Sequence, residues 1–182
     1  VGITSTGRIT TTDGVTSGNA AIVGGNIHTK QSSTTLQNSN TETTLASHTL
    51  PANTIKAGTS IRVRGAVRVT GNAGSDTITF KLRLGGTAFY TSAAVAMTGV
   101  GNDVAHFDFV IVGRAAPASS ASVQASGTAT ISVGGTHGTK AYVVAPANYA
   151  TDGALDVDLR ATWSAASASD IAICEMFVVD RI

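Results

Sequence analysis

A chain of 182 residues and 18.3 kDa, with 13% charged residues, 5% aromatic residues and a net charge of +1, excludes a coiled coil, a charged disordered tail and the basic excess on which nucleic-acid binding draws. About half of the residues are Ala, Thr, Gly or Ser, yet 42% are hydrophobic, so one domain with at most an appended arm is the natural count. The lone Cys174 excludes an intrachain disulfide, no run approaches the ~18 apolar residues of a membrane span, and the opening VGITSTGRIT lacks the apolar stretch of a secretory signal. A soluble protein made in the cytoplasm is expected.

Residues 1–42 are mostly Thr, Ser, Gly and Asn with widely spaced aliphatics, which predicts an extended N-terminal arm. Within it, residues 3–10 meet Asp13-Gly14, a pair suited to a hairpin turn into Val15. Residues 20–23 and Ile27 form a further strand candidate, and residues 31–40 read as a polar linker. An arm rich in β-branched residues but without its own core has the composition that strand addition to a neighbour requires.

Residues 43–182 read as a β-sandwich body. Alternation is clearest in residues 61–69, where Ile61, Val63, Val67 and Val69 share one face and Arg62, Arg64 and Arg68 the other. Residues 78–84 place Ile78, Phe80, Leu82 and Leu84 inward and Lys81 and Arg83 outward, and residues 107–111 and 155–163 alternate in the same way. Residues 170–179 lose strict alternation, which predicts a strand buried on both faces or at a subunit contact. Less regular candidates are residues 43–50, 87–97, 122–133 and 140–144. Helix is hard to place: residues 93–97 are short and flanked by Thr, Ser and Gly, and residues 115–122 hold Pro117 and several serines. About eight strands predict an all-β antiparallel sandwich, with a jelly roll preferred over an immunoglobulin-like arrangement.

Chemistry is sparse. His28, His48, His106 and His137 show no metal-binding spacing, and one cysteine nearly excludes a structural zinc site. His106 and Asp108 share a strand face, as do Asp156 and Asp158, but Arg160 continues the second face and cross-strand ion pairing explains it. Residues 134–140 look like a phosphate loop until Thr139 separates the glycine from Lys140 and a strand follows in place of a helix. Cys174 sits in an apolar strand as an inert thiol. No catalytic, cofactor-binding or metal-binding residues are assigned and no cofactor is expected. The outward Arg62, Arg64, Arg68, Lys81 and Arg83 would make one locally positive surface if their two strands pair, a contact for an acidic partner or glycan; pairing with Asp156 and Asp158 is the competing account.

The stretch from Leu50 to Gly65, which opens LPANTIKAG, and the later FKLRLGGT resemble the β-sandwich structural proteins of tailed bacteriophages, in which such a turn feeds a strand and LRLGGT closes a hairpin. The opening STGRITTTDGV resembles the Thr/Gly-rich repeats of phage fibre proteins. The resemblance implies a non-enzymatic virion component with a jelly-roll body, usually trimeric, on the capsid or fibre exterior. A capsid decoration protein on the major capsid protein is the first expectation. Val1 could follow a removed initiator Met, leaving no room for both a stalk and a tip. A fibre tip binding a cell-surface glycan through residues 71–75, 99–103 and 134–140 is the alternative, while a carbohydrate-active enzyme lacks a convincing acid pair. Neither nucleic acid nor a membrane is an expected partner. Phe177, Val178, Val179 and Ile182 are the candidate subunit contact.

Overall fold

The computed structural model describes residues 15–17, 20–22, 25–30, 34–71, 76–99, 103–134 and 136–182, with side chains from Thr34 onward except that of His137. The strand predicted over residues 3–10 and its Asp13-Gly14 turn lie outside these residues. Among the described residues there is no helix, only strands: β1 (Val15–Ser17), β2 (Ala20–Ile22), β3 (Gly25–Lys30), β4 (Thr34–Gln37), β5 (Thr43–Leu50), β6 (Ser60–Thr70), β7 (Thr77–Leu84), β8 (Thr87–Thr91), β9 (Val95–Ala96), β10 (Asp103–Gly113), β11 (Ala121–Val133), β12 (Thr136–Val143), β13 (Ala147–Tyr149), β14 (Leu155–Trp163) and β15 (Ile171–Arg181). β1 and β2 pair only with each other.

The remaining strands form two antiparallel sheets. The larger runs β12-β11-β10-β6-β15-β3, with β4 also on β15 and β13 on β11; the smaller runs β5-β14-β7-β8, with β9 on β7. Eight of these strands are a rolled-up hairpin: β4 pairs β15, β5 pairs β14, β6 pairs β10 and β7 pairs β8. First with last, second with seventh, third with sixth and fourth with fifth is the jelly roll. The hairpin β11–β12, with β13, is inserted between the sixth and seventh strands and widens the larger sheet beyond β10.

The two stretches that carry the phage resemblance have structural roles. In LPANTIKAG the chain crosses from the small sheet to the large one: Thr54 N donates to Pro51 O at 3.2 Å, Asn53 adopts φ 64°, Gly58 adopts φ 80°, and Ile55 is buried between these turns. In LRLGGT, Gly85 and Gly86 take φ 54° and 83°, the positive values that a two-residue hairpin between right-twisted strands needs.

Alternation decides the core. Along β6, Ile61, Val63, Val67 and Val69 are buried and the arginines face outward. Aromatic rings bridge the sheets, Phe80 to Phe107 at 5.4 Å and Phe89 to Phe109 at 5.8 Å between centroids, within the favourable range. A bulge in β8 opposite Leu82 and Arg83 inserts Phe89, so Phe89 and Tyr90, though consecutive, both turn inward.

Two local expectations change. Residues 34–37, read as linker, are the first strand of the roll: Leu36 is buried in the core while the backbone pairs with Ile171–Cys174. One apolar side chain per strand satisfies a short edge segment, and such a strand has no periodicity to detect. β15 loses its alternation because its register slips between Cys174 and Met176, leaving Glu175 as the extra residue of a bulge.

Candidate functional site

The five outward cations do not form one surface. β6 belongs to the large sheet and β7 to the small one, so Arg62, Arg64 and Arg68 lie on one outer face of the sandwich and Lys81 and Arg83 on the opposite one. Each is held by a carboxylate. Arg62 grips Asp108, Arg64 reaches Asp180 at 2.6 Å and Arg68 reaches Glu175 at 2.9 Å. On the small sheet Glu42 gathers Lys81, Arg83 at 3.0 Å and Arg160 at 3.6 Å. The hydrogen bond from Lys81, with the charges of Lys81, Arg83 and Arg160, holds the Glu42 carboxyl below its ordinary value against the opposing cost of burial. Pairing is therefore the fate of the stripe, although the acids are Asp108, Asp180, Glu175 and Glu42 rather than Asp156 and Asp158.

The other chemistry-bearing residues are similarly engaged. Asp108 accepts both prongs of Arg62, leaving His106 exposed beside it. Asp158 is buried against Arg160 at 2.9 Å, whereas Asp156 is exposed and accepts from Thr49 Oγ1 at 2.5 Å. Cys174 is fully buried, with Sγ 3.5 Å from the Met176 carbonyl oxygen. Gly134 turns β11 into β12 with φ 56°, and its N–H donates to Asp103 at 2.8 Å, so this segment is an inter-strand turn. Among the described residues no group of three or more His, Cys, Asp or Glu gathers as a metal site.

The four residues expected at a subunit contact lie mostly inside the protomer. Phe177 and Val179 are 0% exposed and point into the core; Val178 faces the other way but is 6% exposed, and only Ile182, at 57%, presents apolar surface. The apolar run at the C-terminus fills the monomer's interior because β15 is a central strand between β6 and β3/β4.

One concave feature was not visible in the sequence. Where the β11–β12 hairpin overhangs the edge of the small sheet, a cleft of about 180 Å³ opens. Tyr90, Ser92, Ala93 and Val95 line it from the β8–β9 side, and Ala129, Ile131, Gly138, Lys140 and Tyr142 from the β11–β12 side. The rings of Tyr90 and Tyr142 meet edge to face at 4.8 Å. The Tyr90 hydroxyl is buried, and its pKa is pushed up by that burial and by the adjoining Tyr142. Ser92 is committed to the fold: its hydroxyl donates to Ala93 O at 2.8 Å and accepts from Phe80 N at 2.9 Å. The loops at 71–75 and 99–103, the other expected contacts, fall largely outside the described residues.

No protein-family profile matches the chain, and no curated protein matches it. Among solved structures, the CBM2 module of the evolved Dit of Lactobacillus casei BL23 phage J-1 is similar over 74% of this chain and 67% of that one, at 12% identity and a TM-score of 0.25.

Proposed function

We propose that this chain is a non-enzymatic structural component of a tailed-phage virion, a capsid decoration protein that clusters as a homotrimer on the shell exterior and contacts the major capsid protein. Strand addition carries this reading. β3 continues in line with β4 along β15, so the chain leading into the roll is already held by backbone hydrogen bonds to a sheet edge, the mode by which an extended arm grips a neighbour. The LPANTIKAG crossover and the LRLGGT hairpin, which resemble phage sandwich proteins, are built into the roll itself and support the same reading.

Mixing purified protein with undecorated capsids tests it. Saturable attachment is expected, with light scattering giving three times the 18.3 kDa protomer mass; a monomer that leaves capsids bare overturns the proposal. The arm is tested by deleting residues 1–24, because a longer deletion removes β3 and β4 and with them the first strand of the roll. The shortened chain should fold and fail to attach; attachment undiminished would remove the arm from the proposal.

The tyrosine-lined cleft favours a second reading, the tip of a fibre that recognises a cell-surface glycan. Binding to host cells that a soluble glycan competes away, together with indifference to capsids, would put this reading first.

A further inference from the structure

We propose that the cleft between the β8–β9 segment and the β11–β12 hairpin binds one acidic sugar residue, with the sugar carboxylate on Lys140 and a C–H face of its ring against the tyrosines. This deepens the glycan-recognition reading and rests on it; shell attachment does not depend on it.

The space itself is the first argument. At about 180 Å³ the cleft is many times the ~10–15 Å³ that one water needs, room enough for a single pyranose ring. It exists because the side chains facing it are small, Ala93 and Ala129 with Gly138 between β11 and the rim. Gly138 is not required by the backbone. A Cβ there would meet nothing nearer than the Ile131 carbonyl oxygen at 3.8 Å, an ordinary contact, and its φ lies outside the positive region. By contrast Gly127, on β11 opposite Tyr142, is forced, since a Cβ would lie 2.2 Å from the Asp108 carbonyl oxygen. The glycine at 138 therefore keeps a cavity open where a larger side chain would fit.

The polar groups select the ligand. Lys140, like Lys56, Arg114 and Arg181, has no acid within ion-pairing distance among the described residues, and of these four it is the one that lines the cleft. An ammonium at the mouth of a cleft without its own counter-ion favours an anionic occupant. The Tyr90 hydroxyl is buried against Tyr142, and the Ser92 hydroxyl already donates to Ala93 O and accepts from Phe80 N, so Lys140 at the mouth and the tyrosine pair are the groups left to address a ligand. Tyrosine rings offer an apolar face and a hydroxyl together, matching the alternating C–H and O–H surface of a sugar. A phosphate-bearing ligand fits less well: one lysine is a single charge, and no helix N-terminus lies among the described residues.

The test is amide NMR on the full chain, titrated with sialyllactose, with a trisaccharide of galacturonic acid and with neutral lactose. One of the two acidic probes should shift the Lys140 and Tyr142 amides with millimolar affinity, on the order of 1 mM, and lactose should not at the same concentration. Lys140→Ala, an exposed change that spares the fold, should weaken binding about tenfold, and Gly138→Leu should abolish it. The proposal is overturned if neither acidic probe shifts these signals at about 10 mM, if lactose binds equally, or if Lys140→Ala binds as wild type does. Host-cell binding that a neutral glycan competes away, with no shift of these amides by either acidic probe, overturns this inference and leaves the glycan-recognition reading standing; no glycan-competed cell binding at all overturns that reading itself.

Discussion

Arg62 and Asp108 meet diagonally across the β6–β10 pairing in a two-pronged ion pair, Nε to Oδ1 at 2.8 Å and Nη2 to Oδ2 at 2.5 Å. The Arg62 hydrogen bond, with the charges of Arg62 and Arg64, holds the Asp108 carboxyl below its ordinary 3.8 in spite of partial burial. A carboxyl lowered on folding contributes stability that is present above its ordinary value and lost as pH falls through the lowered one. Carboxyl carbon shifts should therefore show Asp108 titrating below 3.8 in the native protein and moving back toward it in Arg62→Ala. An unchanged midpoint in the variant would mean that the pair does not persist in solution.

Glu42 binds the segment between β4 and β5 to the small sheet through three cations. Glu42→Gln leaves Lys81, Arg83 and Arg160 to repel one another. The group is about a quarter exposed, so solvent screening limits the expected loss to about 1 kcal/mol by urea unfolding. The wild type should also lose stability as pH falls below Glu42's ordinary 4.5, and the variant should show a smaller loss over that range.

Two glycines predict opposite results. Gly127→Ala drives a Cβ into the Asp108 carbonyl oxygen and Phe109 Cα, at 2.2 and 2.6 Å, both backbone atoms that cannot step aside cheaply. A loss of about 3 kcal/mol is expected. Gly138→Ala should change stability by no more than about 0.5 kcal/mol. Denaturant midpoints of the two variants check the contrast.

The C-terminal apolar residues separate in the same way. Phe177→Ala empties a fully buried site and should cost about 3–5 kcal/mol by urea unfolding. Ile182→Ser removes an exposed side chain and should leave the unfolding midpoint within error of wild type. A large destabilisation by Ile182→Ser would place that residue under cover, and light scattering of the variant would then show whether a second copy provides it.

Much of the fold was legible because period-two alternation reports burial directly, as in Ile61 to Val69 and Ile78 to Leu84. Alternation says which side of a strand is buried but not which sheet the strand joins. The arginines of β6 and the cations of β7 thus looked like neighbours until the crossover through Pro51 to Gly58 and the return to β7 set them on opposite faces. β4 escaped notice because Leu36 alone marks it. Phe177 and Val179 looked available for a partner because a bulge at Glu175 disguises a central strand as an irregular apolar tail. The cleft had no local signature: Tyr90 and Tyr142 are far apart in the chain and meet only because an inserted hairpin overhangs a sheet edge.

That inserted hairpin leaves and rejoins the roll at one place. Ala121 pairs with Tyr149 and Val123 with Ala147, so the outgoing and returning strands are zipped together before the hairpin extends beyond them. Beyond the zip β11 stays paired with β10 as far as Ser132 and is part of the sheet, whereas β12 pairs only with β11, so the exposed residues of that edge strand, Gly138 and Lys140 among them, can be exchanged while the two ends of the hairpin remain side by side, at little cost in loop closure. The rolled hairpin beneath would keep its register while the rim acquired a new ligand preference, which makes this the position at which to graft foreign recognition sequences onto the scaffold.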